Sequence, residues 1–230
     1  TQTFENNFIK ANIQSDGRLS IVDKKNDITY DNMLTFENVG DIANEYIFKQ
    51  PKNDKAIYAH EFPFDVEVLT NNANIAEVVI SQTMMIPRAA EELLQEEMKA
   101  VVEMRNRNAG RSTDLIPFVM ETVVTIEKNS QQLKFSTTYN NQSENHRLRV
   151  LFPTNIKTDR HFAESIFEVI ERPNHVSASW ENPTNPQHQH SFVNVQDETR
   201  GVTVSNFGIN EYEILNEQNT IALTILRSTG

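Results

Sequence analysis

Asn145–Pro153 reads NHRLRVLFP. In an extended chain successive side chains point to opposite sides, so His146, Leu148, Val150 and Phe152 share one face. Arg147, Arg149 and Leu151 share the other. The segment is a strand with an apolar face and two guanidinium groups opposite it. Pro153 ends the pairing, because it has no N–H to donate to a ladder. Taken alone, this is a strand of a sandwich or a barrel.

The flanking segments continue the pattern. Phe118–Glu127 and Leu133–Tyr139 precede it as strands, joined by a hairpin connection at Lys128–Gln132. Apolar residues occupy both faces of the first run, with Val119 and Val123 on one and Met120, Val124 and Ile126 on the other, which predicts a central strand covered on each side. Ser165–Glu171 follows as a further strand and ends in ERP at Glu171–Pro173.

Towards the N-terminus, Phe8–Ile13, Leu19–Val22 and Ile28–Tyr30 form a meander around Ser15-Asp16-Gly17 and the polar turn Asp23–Asp27. Phe64–Thr70 and Ile75–Ile86 are joined by Asn71-Asn72-Ala73-Asn74. With only six glycines in the chain, asparagine is expected to supply left-handed turn positions. Phe192–Val195, Val202–Ser205, Tyr212–Leu215 and Ile221–Arg227 complete roughly a dozen strands. Pro173–His190 reads as a long loop rich in Pro, Asn, Gln and His.

The period changes only over residues 88–107. Ala90, Leu94, Met98 and Val101 fall at helical spacing, widened by Leu93 and Val102. Glu91, Glu92, Glu96 and Glu97 lie early, Arg105 and Arg107 late, and Asn108-Ala109-Gly110 is a stop signal. The expectation is one inserted helix packing its stripe on a sheet. Residues 1–230 then form a single mostly-β domain, a large two-sheet antiparallel sandwich with one inserted α-helix.

Composition narrows the function. A net charge of −11 argues against nucleic acid and against anionic membrane surfaces. The chain has no cysteine, which removes disulfides and thiolate chemistry from this segment and is compatible with a cytoplasmic location. No apolar run approaches the ~20 residues that span a bilayer, and there is no signal-peptide pattern.

His188 and His190 are the closest histidine pair, spaced to share a strand face, with no neighbouring carboxylate in sequence to complete a metal set. His146 and His161 sit beside charged residues. An epimerase of sandwich type needs a histidine acid and a carboxylate base, for which Glu168, Glu171 and Glu211 are candidates. Phosphate loops, nucleophile elbows and metalloprotease motifs are missing. Tyr58, Trp180 and Tyr212 are candidate sugar platforms.

Four stretches point to a family. NHRLRVLFP, GDIANEYIFKQP (Gly40–Pro51), NFGINEYEIL (Asn206–Leu215) and IALTILRSTG (Ile221–Gly230) together resemble the C-terminal β region of the glycoside hydrolase family 38 α-mannosidases. The resemblance covers nearly the whole chain. It implies a galactose-mutarotase-like supersandwich, excised from a longer protein, since the chain opens without methionine and closes on what resembles a mid-domain strand. It implies that the intact enzyme is a retaining, zinc-dependent hydrolase of terminal α-mannosides, with zinc and nucleophile on an N-terminal catalytic domain. This segment then has no catalytic residue, no metal ligand and no hydrolytic activity alone. Its partners are that catalytic domain and a mannose-containing sugar.

The resemblance also implies a role for Tyr46, since a tyrosine in a similar run reaches the sugar in family members. Here Glu45 stands where a small residue is usual. Asp41 is placed to fix the same loop through backbone N–H groups, and both residues are the substrate-binding candidates. An autonomous carbohydrate-binding module, a mutarotase-like enzyme and the same region of a mannosylglycerate hydrolase are the alternatives.

Overall fold

A computed structural model describes residues 2–175 and 186–229. It is mostly β with one short helix, and the chain forms two compact units, Thr1–His146 with Ser228–Gly230, and Arg147–Arg227.

The first unit begins with a meander of β1 (Thr3–Glu5), β2 (Ile9–Ile13), β3 (Leu19–Asp23) and β4 (Ile28–Met33), paired antiparallel in that order. The β2–β3 turn uses Gly17 at φ 82°, as Asp-Gly predicts. Next come β5 (Thr35–Gly40) and β6 (Ile57–Tyr58), an antiparallel pair. β7 (Phe64–Asn71), β8 (Ile75–Pro87), β9 (Leu115–Glu127) and β10 (Leu133–Tyr139) make a second four-stranded antiparallel sheet in the order β10-β9-β8-β7. The β7–β8 turn uses asparagine differently from expectation: Asn72 Oδ1 accepts the N–H groups of Asn74 and Ile75, an Asx turn without left-handed backbone. Asn32, Asn53, Asn145, Asn155 and Asn219 do take positive φ, where glycine is otherwise usual.

β9 is central, but only one of its faces is covered within this unit. Ile116, Phe118, Met120, Val124 and Ile126 are buried, whereas Leu115 and Val119 are 48% and 50% exposed. Met85, on the same side of β8 and opposite Pro117, is 37% exposed. Apolar residues on both sides of a strand predict two covers, and here the second side is bare.

The second unit holds β11 (His146–Phe152) from Arg147 onward, β12 (Arg160–Ser165), β13 (Glu168–Pro173), β14 (Gln187–His188), β15 (Phe192–Gln196), β16 (Gly201–Ser205), β17 (Glu211–Leu215) and β18 (Thr220–Ser228) as far as Arg227. One sheet has the order β13-β12-β15-β16, and β14-β17-β18-β11 run side by side in another. All of β11 is buried. Its arginines meet β17: Arg149 Nη1 donates to Glu213 Oε2 at 2.7 Å, and Arg147 lies 3.7 Å from Glu211.

Two expectations are corrected here. The strands divide into small sheets, not two large ones, because alternation reports which way a residue faces and not which sheet it joins. The expected strand Ser165–Glu171 is a hairpin: Ser165 pairs with Glu168 across Ile166 and Phe167, and Phe167 takes φ 70°. Two apolar residues at a turn tip mimic strand composition.

The helix is also shorter than expected. α1 spans Leu93–Lys99, ended by Val101 at φ 55°. Its inward positions are Leu94 and Glu97, not the full apolar stripe, and Val101 is 85% exposed. Leu94 packs with Ile42, Ala109 and Ala90, so the helix supports the loop after β5 instead of a sheet face.

Candidate functional site

The loop after β5 carries Asp41 and Tyr46, and every layer beneath it is tied to backbone. Asp41 is fully buried, and its Oδ1 accepts the N–H groups of Ala43 and Lys49, both at 3.2 Å. Its own N–H donates to the Asn145 carbonyl at 2.8 Å. Ile42 N–H donates to the Lys49 carbonyl at 2.9 Å and closes the loop's neck. At the tip, Asn44 Oδ1 accepts from Tyr46 N–H at 3.0 Å and Ile47 N–H at 2.9 Å. Phe48 turns inward, while Tyr46 stands 83% exposed. A short, cross-braced turn therefore presents one aromatic side chain to solvent.

The chain after α1 clamps this loop from the side. Lys49 Nζ donates to the carbonyls of Met104 at 2.6 Å and Arg107 at 3.2 Å. Arg107 Nη1 donates to the carbonyls of Ile42 at 2.7 Å and Ala43 at 3.1 Å. Burial holds the Lys49 ammonium below its ordinary pKa. In sequence Arg107 reads as a helix C-terminal charge, but the helix stops well before it, which frees its side chain to cap loop carbonyls. Glu97 turns inward and accepts from Asn108 N–H at 2.7 Å and Ala109 N–H at 3.3 Å, which fixes the same segment.

A buried polar row lies behind Gly40. Gly40 N–H donates to Asp54 Oδ2 at 2.7 Å, and Arg111 pairs with Asp54 at 3.6 Å. Arg111 Nη2 donates to Asn38 Oδ1. That leaves Asn38 Nδ2 to donate to His146 Nδ1 at 2.7 Å, so His146 carries its proton on Nε2 and donates to Asn141 Oδ1 at 2.9 Å. Burial, with the Arg111 charge adding to it, lowers the His146 pKa to about 4 and keeps the ring neutral. Gly40 is required by close approach: a Cβ would lie 2.9 Å from Arg111 Cγ and Pro51 Cδ. None of Asn38, Asp54 or Arg111 stands out in the sequence, since their partners are distant along the chain.

The other candidates go elsewhere. His161 is buried, with Nδ1 2.8 Å from Asn174 Oδ1 and Nε2 2.6 Å from the Tyr212 hydroxyl. Burial lowers its pKa. Glu171 pairs with Phe162 on the other face of β12 and binds Arg160, Glu168 is exposed, and Glu211 faces Arg147 and Arg227. The histidine–carboxylate geometry of a mutarotase does not form at any of these residues. Tyr212 is fully buried and cannot be a sugar platform. Tyr58 is half-buried and donates to Glu37 at 3.3 Å. Trp180 lies outside the described residues. His190 lies 3.1 Å from Glu164, a carboxylate that the sequence places far away, and the His188 carbonyl accepts from Arg172 at 2.6 Å. Among the described residues no group of three or more His, Cys, Asp or Glu side chains is placed to hold a metal. These residues do not fit the zinc that the family implies.

The whole chain, loop included, has relatives. The model of the glycosyl hydrolases family 38 C-terminal domain matches residues 4–230. The chain belongs to this family. The crystal structure of an α-mannosidase from Enterococcus faecalis V583 superposes with a TM-score of 0.97 at 52% identity, covering 100% of this chain and 26% of that one. A Halalkalibacterium halodurans protein named "Putative mannosylglycerate hydrolase" is 36% identical over 99% of this chain and 25% of its own length. The α-mannosidase of Saccharomyces cerevisiae is 32% identical over 46% of this chain and 10% of its own length. The chain thus spans about a quarter of the length of the first two, and a family 38 enzyme of their size contains other domains.

Proposed function

We propose that this chain is the non-catalytic β region of a retaining, zinc-dependent family 38 α-mannosidase, and that it presents Tyr46 to the terminal mannosyl group. The observation that carries this reading is the Tyr46 loop, an 83% exposed aromatic on a turn braced by Asp41 beneath and Arg107 beside. Side chains that bind substrates are held by rigid surroundings. Asp41, buried, acts here as a positioning residue and does not touch the sugar. The bare face of β8 and β9 supports the further part of the reading, that the chain packs on the catalytic barrel, because a surface of exposed Leu, Val and Met is suited to burial by another domain. Zinc is held, in this reading, by the rest of the enzyme, whose location is cytoplasmic. The 36% identity to the H. halodurans protein favours a second substrate reading, mannosylglycerate in place of longer mannosides. Both share the mannosyl group that Tyr46 meets.

The test is made in the intact enzyme. Tyr46→Phe keeps the ring and removes one hydrogen bond, worth about 0.5–1.5 kcal/mol if neutral and up to ~3 against developing charge. We expect kcat/KM to fall roughly two- to hundredfold, and further for Tyr46→Ala. Wild-type kcat/KM in both folded variants would reduce Tyr46 to a structural residue. Comparing aryl mannoside with mannosylglycerate as substrates separates the two readings.

A further inference from the structure

The outer face of the β13-β12-β15-β16 sheet departs from the usual pattern of a solvated face. Its inner side is conventional, with His161, Ala163, Val193 and Val195 fully buried. The outer side carries two phenyl rings, Phe162 and Phe192, with amides and hydroxyls beside them on β15 and β16 and with Arg160, Glu164 and Glu171 on β12 and β13. Phe162 lies opposite Asn194, Phe192 opposite Ser205, and Asn194 opposite Thr203. These residues line a shallow, open cleft of about 410 Å³, to which Gln196 and Val169 also contribute. That volume is in the range of small-molecule sites, about 300–1,000 Å³.

The chemistry of the cleft selects among ligands. None of its lining side chains is charged. The carboxylates beside it are engaged: Glu171 binds Arg160, and Glu164 accepts from Ser191 Oγ at 2.9 Å and faces His190. A charged ligand therefore gains no ionic partner from the lining. A purely apolar ligand would strip water from Asn194, Gln196, Thr203 and Ser205 and return no hydrogen bond. A pyranose meets both conditions, with C–H faces that stack on aromatic rings and an equator of hydroxyls. Two of the polar groups, Asn194 and Thr203, are oriented for it. Asn194 Nδ2 donates to Thr203 Oγ1 at 2.8 Å, which leaves Asn194 Oδ1 to accept and the Thr203 hydroxyl to donate. Adjacent acceptor and donor match adjacent sugar hydroxyls.

We propose that this sheet face is a binding site for a neutral mono- or disaccharide, with Phe162 and Phe192 stacking on the sugar and Asn194, Gln196, Thr203 and Ser205 bonding its hydroxyls. It lies in the second unit and does not depend on the role assigned to Tyr46, in the first.

The test is a titration of the ¹⁵N-labelled chain with methyl α-mannoside and with mannobiose, followed by amide shifts. The expected result is saturable shifts over residues 192–196 and 201–205, with Kd about 1–10 mM, as suits an open site. Phe192→Ala should weaken binding about tenfold through lost stacking. Gln196→Ala and Ser205→Ala lie at exposed positions that folding does not need, and each should weaken it about two- to tenfold through one lost hydrogen bond. Non-saturating shifts, shifts confined to residues 41–50, or unchanged binding in the Gln196 and Ser205 variants would overturn the assignment. The loss of Tyr46-dependent turnover in the intact enzyme is a separate readout, so the two proposals fail independently.

Discussion

Asp41→Ala removes the fastener of the Tyr46 loop. Its Oδ1 receives two backbone N–H groups at 3.2 Å, from Ala43 and Lys49, at a position closed to solvent. Hydrogen bonds to a carboxylate contribute about 1.5–3 kcal/mol each, and 3.2 Å is the long end of the range, so the lower value applies. Two such bonds give about 3 kcal/mol, which is roughly two powers of ten in the opening equilibrium. The loss is local, because the Ile42–Lys49 backbone bond and the Arg107 clamp remain. Hydrogen exchange is the assay: the Ala43 and Lys49 amides should exchange about a hundredfold faster, while the amides of β8 and β9 keep their protection. Asp41→Asn retains one acceptor oxygen and should recover most of the protection. In the intact enzyme, Asp41→Ala should lower kcat/KM without touching the sugar. Unchanged exchange at both amides would refute the account of Asp41 as the loop's anchor.

Two further outcomes are expected. Leu94→Asp, at a position 2% exposed against Ile42 and Ala109, should destabilise the first unit by several kcal/mol, on the order of a relaxed buried-charge penalty, and urea unfolding indistinguishable from wild type would show that α1 does not hold the loop. His146 has its folded pKa lowered to about 4, so above its unfolded value of about 6.5 it is neutral in both states. Below 6.5 the unfolded chain binds the proton first, and stability is lost as pH falls to about 4, by about 3 kcal/mol in all. An imidazole NMR titration with its midpoint near 6.5 would contradict that environment.

Strand positions were legible in this sequence because alternation is local: β10 matches its expected bounds and most other strands differ by a few residues at their ends. Tyr46 and Asp41 are singled out in the sequence only by the wording of Gly40–Pro51; what the structure adds is that Asp41 is buried under the loop and Tyr46 stands exposed on it. The helix was located but misread. Counting apolar residues at helical spacing promoted Met98 and Val101, whereas the fold buries Glu97, whose carboxylate meets two backbone N–H groups. No periodicity marks an acidic residue for burial. The row behind Gly40 was illegible for another reason: Asn38 and His146 are 108 residues apart, and hydrogen bonds across such a gap leave no trace in local pattern.

That row also constrains how the family can vary. Arg111 can only donate and Asp54, as a carboxylate, can only accept, so the direction of every bond from Arg111 through Asn38 and His146 to Asn141 is set from one end. Turning any one amide or ring reverses its neighbour's requirement and sets two donors or two acceptors face to face. Replacement of a single member therefore leaves a mismatch, and joint replacement does not. Positions 38, 54, 111, 141 and 146 should be inherited as a set, changing together between branches of the family while the surface around Tyr46 diverges one residue at a time.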